Sequence, residues 1–308
     1  MKIKKSNVSL LLGNGPNRTS HTGVSWLQVL KELALFSKSK SVLQHSEIKP
    51  FPLLYEELAV RCVRQGKLES DLKKKVASLA KGMAPNGLHG RIANAGFKHI
   101  LTTNYDYCLE SATGVVAISA NIREEKRYNL FRKRKLNNSN IWHIHGELDR
   151  PRTITLGHDH YVGYLNNIKE YLVWERKNIS KELANRHSPF MQGNITFDNG
   201  KAIPYSWIDI FLRDDIHMFG FGLDYSEIDI WWLLIFKEKH KLKARRYTTL
   251  PRVGGTWFYN IYEEPMPELT LSKLSILESI GVQVVNIQAD QGYEHAYHKA
   301  FKQITENA

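Results

Sequence analysis

Short apolar runs that end in glycine or in crowded polar residues alternate with helix-period segments along almost the whole chain. This alternation is the strongest constraint on the fold. Strands separated by helices are joined by crossovers, align in parallel and carry their helices on the faces of the sheet. The predicted class is α/β with a mostly parallel sheet. Strands are expected at Val8–Leu12, Lys98–Thr103, Val115–Ser119, Asn140–Leu148, Ile216–Phe221 and Val282–Ile287, with Arg152–Leu156 pairing beside the fourth. Helices are expected to start at Trp26, to cover Leu53–Arg64 and Glu69–Met83, and to run from Asp159 to about Arg186. Others fall at Tyr107–Ala112, Ser206–Leu212, after Ser226, at Leu269–Ser279 and at Tyr293–Ile304. The stretch from Ser188 to Tyr205 reads as a loop. The 308 residues contain no internal repeat. They read as a single domain, 1–308, with helical insertions near 45–95 and 159–212 forming a smaller lobe.

Composition narrows the function classes. Hydrophobic residues make up 42% and charged residues 24% of the chain, which excludes a disordered, collagenous or coiled-coil protein. A net charge of +12 attracts polyanions, whether nucleotide, nucleic acid or acidic membrane surface, without choosing among them. Much of it is gathered in Arg123, Lys126, Arg127, Arg132, Lys133, Arg134 and Lys135, with Tyr128 and Phe131 between them. That segment reads either as a solvated basic loop or as a single-strand nucleic-acid contact. Cys62 and Cys108, the only cysteines, cannot build a disulfide framework, a four-cysteine zinc site or an iron–sulfur cluster. They read as buried thiols in a reducing compartment. No apolar run approaches the ~20 residues of a membrane span. The basic start followed by Val8–Leu12 lacks a cleavage site, so a cytoplasmic protein is expected.

Four stretches carry candidate chemistry. Leu12-Gly13-Asn14-Gly15-Pro16-Asn17-Arg18 follows the first strand. It is either a tight strand-to-helix turn or a loop whose backbone approaches a pyrophosphate. Thr102-Thr103-Asn104-Tyr105-Asp106 closes the next strand, as a turn and helix cap or as a ligand-facing cluster. Trp142-His143-Ile144-His145-Gly146 places both histidines on one strand face. They read as hydrogen-bonded strand histidines, as a general base, or, with His158 and His160, as part of a metal site. Phe219-Gly220-Phe221-Gly222-Leu223-Asp224-Tyr225-Ser226-Glu227-Ile228-Asp229 ends another strand in glycine before a helix, either a turn followed by an Asp or Ser helix cap or a nucleotide contact.

Taken together, in this order and over nearly the whole chain, the four stretches resemble the sirtuin-like NAD-binding superfamily in its bacterial anti-phage defence branch. The Gly-Asn-Gly loop and the His143-to-His145 stretch are also similar to AbiH-type abortive-infection proteins. The loop departs from the sirtuin pattern at Asn14 and Pro16. Two cysteines cannot supply the zinc module of sirtuin deacylases, which turns the expectation from peptide deacylation to cleavage of NAD itself.

The resemblance implies a Rossmann-like fold and an NAD glycohydrolase that cleaves the nicotinamide–ribose bond, depleting NAD in abortive infection. NAD is the implied substrate, with no metal. Asn104 would orient the attacking water or the ribose hydroxyls. His145 would be the general base or bind a ribose hydroxyl. Backbone N–H groups of Gly13, Asn14 and Gly15, with Arg18, would hold the pyrophosphate. Thr103 and Asp106 would face the ligand, Asp106 at the nicotinamide amide or behind Asn104. Gly222 and Asp224 would line the adenosine side, and His143 would support the site. Such an enzyme is expected to be restrained until triggered, through a homo-oligomer, a HerA-like ATPase or a phage-derived activator. Two rival readings are a non-catalytic nucleic-acid-binding or regulatory subunit working through the basic segment, and a metal-dependent hydrolase built on the four histidines.

Overall fold

The computed structural model describes residues 7–114, 118–119, 127–173, 187–192, 205–247 and 251–307. Its centre is one eight-stranded sheet built from β1 (Val8–Leu12), β2 (His99–Thr102), β3 (Ile118–Ser119), β4 (Arg134–Leu136), β5 (Ser139–His143), β6 (Asp215–Phe219), β7 (Thr256–Tyr262) and β8 (Gln283–Gln288). The spatial order is β3-β4-β5-β2-β1-β6-β7-β8. The six strands from β5 to β8 are parallel, and β3 and β4 add an antiparallel edge. In chain order the parallel strands read third, second, first, fourth, fifth, sixth. That is the Rossmann order, and its direction of winding reverses between β1 and β6.

The apolar run of β1 is buried on both faces because helices cover both. Leu11 packs with Leu101, Trp142 and Met218 on one side, beneath α6 (His158–Leu172), α7 (Trp207–Arg213), α8 (Ile228–Arg246) and α9 (Glu268–Ser279). Leu10 and Leu12 pack with Ile100, Ile141 and Phe219 on the other, beneath α4 (Gly87–Ala93) and α10 (Tyr293–Asn307). A third apolar cluster joins α1 (Trp26–Phe36), α2 (Phe51–Arg64) and α3 (Glu69–Lys81) through Leu33, Leu58, Leu72 and Val76. It also takes in Tyr105, Ile154 and Leu156 from the loops after β2 and β5, so the helical cluster is seated over the carboxyl ends of the strands. Ser25 caps α1 reciprocally with Gln28, which sets where the helix leaves the first loop. A short helix, α5 (Cys108–Ser111), follows the β2 loop.

Three expectations change. The strand predicted over Asn140–Leu148 stops at His143, because Gly146 turns the chain at φ 104°. Arg152–Leu156 is not a strand; Pro151–Thr153 is a 3₁₀ turn, and only Thr155 N–H reaches back, to the His145 carbonyl at 2.8 Å. The basic segment, as far as it is described, is only partly solvated: Arg127 and Lys135 are exposed, while the cations between them turn inward. Arg132 is buried beneath the β5 end, where its guanidinium reaches the His143 carbonyl. Lys133 lies over the Trp142 and Tyr205 rings, Arg134 pairs with Glu147 at 2.9 Å and with Asp149 at 2.8 Å, and Arg127 pairs with Glu69. Cations placed this way serve the fold, and Arg132 in particular is buried away from any nucleic-acid contact through Arg132, Lys133 and Arg134. Arg123 and Lys126 lie outside the described residues, as does 174–186 of the long predicted helix.

Candidate active site

At the strands' carboxyl ends beside this reversal point lies a cleft of about 950 Å³, walled by the loops after β1, β6 and β7. Asn14, Gly15, Arg18, Thr103, His145, Gly222 and Asp224 all line it. Gly13, Asn104, Asp106 and His143 do not; they lie immediately behind its walls. Asn104 and Asp106 border a small adjoining cavity with Asn14, Trp26 and Tyr105.

The glycine loop has a role different from the expected one. Gly13 N–H donates to the Phe219 carbonyl at 3.0 Å, and Gly15 N–H donates to Gly220 at 2.8 Å. A Cβ on Gly13 would lie 2.5 Å from the Gly220 oxygen, and one on Gly15 would lie 2.1 Å from the Tyr297 hydroxyl. These glycines let two loops and α10 close on one another, and of the three N–H groups expected to cradle a pyrophosphate, those of Gly13 and Gly15 are already spent. The positive charge along the cleft comes from side chains instead. Arg18 lines it from the first loop, and Lys273 from α9, where its ammonium also binds the Gly222 carbonyl at 2.6 Å.

The second loop is tied to the first through side chains. Asn104 Nδ2 donates to the Gly13 carbonyl at 3.1 Å, and its backbone N–H donates to Thr102 Oγ1. Asp106 accepts from Asn17 Nδ2 at 2.8 Å and from Cys108 N–H at 2.9 Å. Each carboxylate oxygen thereby takes one donor, and Asp106 braces the two loops from behind the cleft. Asn17 continues the brace to Asn14 and His89.

The two histidines take separate partners. His143 Nδ1–H donates to the Asn104 carbonyl at 3.0 Å, and Nε2 meets Glu110 at 2.8 Å. Burial disfavours its cation, but the Glu110 carboxylate outweighs burial and raises the imidazole pKa. His143 therefore ties the backbone that carries Asn104 to the Glu110 carboxylate. His145 faces the cleft and pairs through Nε2 with Asp229 of α8 at 2.8 Å. Here too burial lowers the pKa and the carboxylate more than reverses it. Tyr161 and Tyr164 meet the His145 ring edge-on from α6.

His160 pairs with Glu69 at 2.7 Å and His158 is exposed, so the four histidines are not brought together. Among the described residues no cluster of three or more histidine, cysteine or acidic side chains could hold a metal.

Glu227, at the start of α8, lines the cleft beside this pair and accepts from Asp224 N–H at 2.8 Å. Burial lifts its carboxyl to about 8, with His145 opposing and Asp229 adding to the rise. A carboxyl that ionises near 4.5 when unfolded and about 8 when folded contributes stability below 4.5 that is lost as pH rises through 8. Glu227→Gln escapes this loss, so its melting temperature should gain on that of the wild type between pH 6 and pH 9. Parallel melting curves at both pH values would refute the assignment.

Glu227 and Asp229 stand in the fourth candidate stretch without a role assigned from sequence, and Lys273 lies outside all four stretches. Acids in the first turn of a helix read as ordinary partners of its dipole. Asp229 reaches a histidine 84 positions away only through the sheet order.

The chain matches no curated protein. The segment from β2 through α6, holding Asn104, His143 and His145, falls within residues 98–193, and these match the family model of the SIR2-like domain.

Proposed function

We propose that the protein is an NAD glycohydrolase. The observation that carries this reading is the cleft at the reversal point of a Rossmann-ordered sheet, with the His145–Asp229 pair at its wall. The SIR2-like match supports NAD as the ligand and an NAD-dependent enzyme as the class. Arg18 and Lys273 supply two cations for a pyrophosphate, as point charges rather than a backbone cradle.

In the reaction, the bond between ribose C1′ and the nicotinamide nitrogen breaks, and its electron pair goes to the pyridinium, which leaves neutral. No general acid is needed for such a leaving group. Water attacks the oxocarbenium-like C1′, His145 takes its proton, and ADP-ribose is the product. Asn104, in the small cavity that adjoins the cleft at Asn14, would hold the water or a ribose hydroxyl from that side. Water is the acceptor rather than an acylated lysine, because Cys62 and Cys108 cannot form a deacylase zinc module. The resemblance to defence proteins supplies the setting, NAD depletion in anti-phage abortive infection. In that setting activity is restrained until the protein assembles or meets a HerA-like ATPase or phage-derived activator.

The test is chromatography of full-length protein incubated with NAD, alone and with phage-infected lysate. Nicotinamide and ADP-ribose should appear in equal amounts. Saturable NAD binding in calorimetry without either product under both conditions would instead make it a regulatory NAD-binding protein.

A further inference from the structure

We propose that Asp229 is the positioning residue of His145, fixing the proton on Nε2 so that Nδ1 is the nitrogen presented to substrate. The inference rests on the NAD-cleavage reading for its chemistry, though not for its geometry.

The pair is 2.8 Å apart, with His145 2% and Asp229 0% exposed. The two tyrosine edges hold the ring plane, and the Asp229 carboxylate selects the tautomer. The buried Asp209 takes partners on both oxygens, from Ser188, Tyr171, Phe190 N–H and Ser206 N–H. The carboxylates that hold the two buried histidines do not: Glu110 Oε2, behind His143, and Asp229 Oδ1 are each buried without a hydrogen-bond partner among the described residues. Of the two, only Asp229 backs a histidine that lines the cleft. An unpaired buried oxygen is costly, and only part of that cost is offset by the α8 dipole. Its charge is therefore directed at one imidazole. When Nδ1 accepts the proton of the attacking water, the resulting imidazolium is neutralised by a carboxylate already in place. The ionisable groups facing His145 are Asp229 and Glu227 from the start of α8 and Tyr161 and Tyr164 from α6.

The experiment is ¹⁵N-histidine NMR of the full chain, with the His145 resonances assigned by loss in His145→Gln, alongside steady-state kinetics. In the wild type, the neutral ring of His145 should be the Nε2–H tautomer. In Asp229→Asn, the His145 titration should move to lower pH, and the acidic limb of the rate profile should move with it. kcat should fall by roughly 100-fold while KM stays within about threefold, the size of a disabled general base. A purely structural Asp229 would leave tautomer and pH profile unchanged, and that result overturns the proposal. If Asp229→Asn does not fold, the wild-type spectrum still decides, because an Nδ1–H tautomer contradicts the assignment. If no nicotinamide is released by any form, the NAD reading fails separately, and the tautomer still reports on Asp229.

Discussion

Replacing either Asn104 or His145 with Ala is expected to lower nicotinamide release by roughly 100-fold or more. The two losses have different origins. Asn104 Nδ2 is committed to the Gly13 carbonyl, so Oδ1 is the end of the amide left for a water or a ribose hydroxyl. Alanine removes that acceptor and also strands the Gly13 oxygen, which should cost about 1 kcal/mol of stability. His145→Ala removes the base and leaves the Asp229 carboxylate buried without its hydrogen-bond donor, so a larger loss of stability, about 3 kcal/mol, accompanies the loss of turnover. Release assays and thermal melts on both variants check this. Activity within threefold of wild type in either variant would remove that residue from the mechanism.

The contrast between these two residues also marks what was legible in the sequence. The loops at Gly13–Arg18, Thr102–Asp106 and Gly220–Asp224 each follow an apolar strand, and parallel packing puts all strand ends on one side. Their convergence could therefore be read from the order of elements. The atoms that do the work could not. Gly13 and Gly15 read as a phosphate-binding loop, yet their N–H groups are held by the β6 turn, whose proximity follows from the strand order. Asp106 reads as a ligand contact, yet it lies behind the cleft, where its oxygens accept from Asn17 and the start of α5. The basic segment reads as a surface because charge is normally solvated. Arg132 and Arg134 are drawn inward by acceptors at the β5 end, the His143 carbonyl and the Glu147 carboxylate, and only the fold reveals those partners. Periodicity reports which side a residue faces; it does not report which distant group satisfies a buried charge.

Gly146 shows how tightly the fold constrains one such position. Gly146→Ala is expected to destabilise the protein by roughly 3 kcal/mol, and a loss of that size lowers the melting temperature by about 6 °C or more. Two penalties combine. The residue sits at φ 104°, where an L side chain is strained, and an added Cβ would lie 2.5 Å from the Thr153 oxygen and 2.7 Å from Ile154 Cα. Both are backbone atoms, so no rotamer change relieves them. The Thr153–Thr155 strap would have to move, and Thr155 N–H is bonded to the His145 carbonyl. Turnover should therefore fall together with stability. Gly66 is the internal control. Its φ is 74°, yet nothing lies within 4 Å of its would-be Cβ. Gly66→Ala bears the conformational penalty alone, about 1 kcal/mol, without loss of activity. Equal melting temperatures for the two variants would mean that the close approach at Gly146 is not what holds the His145 strap in place.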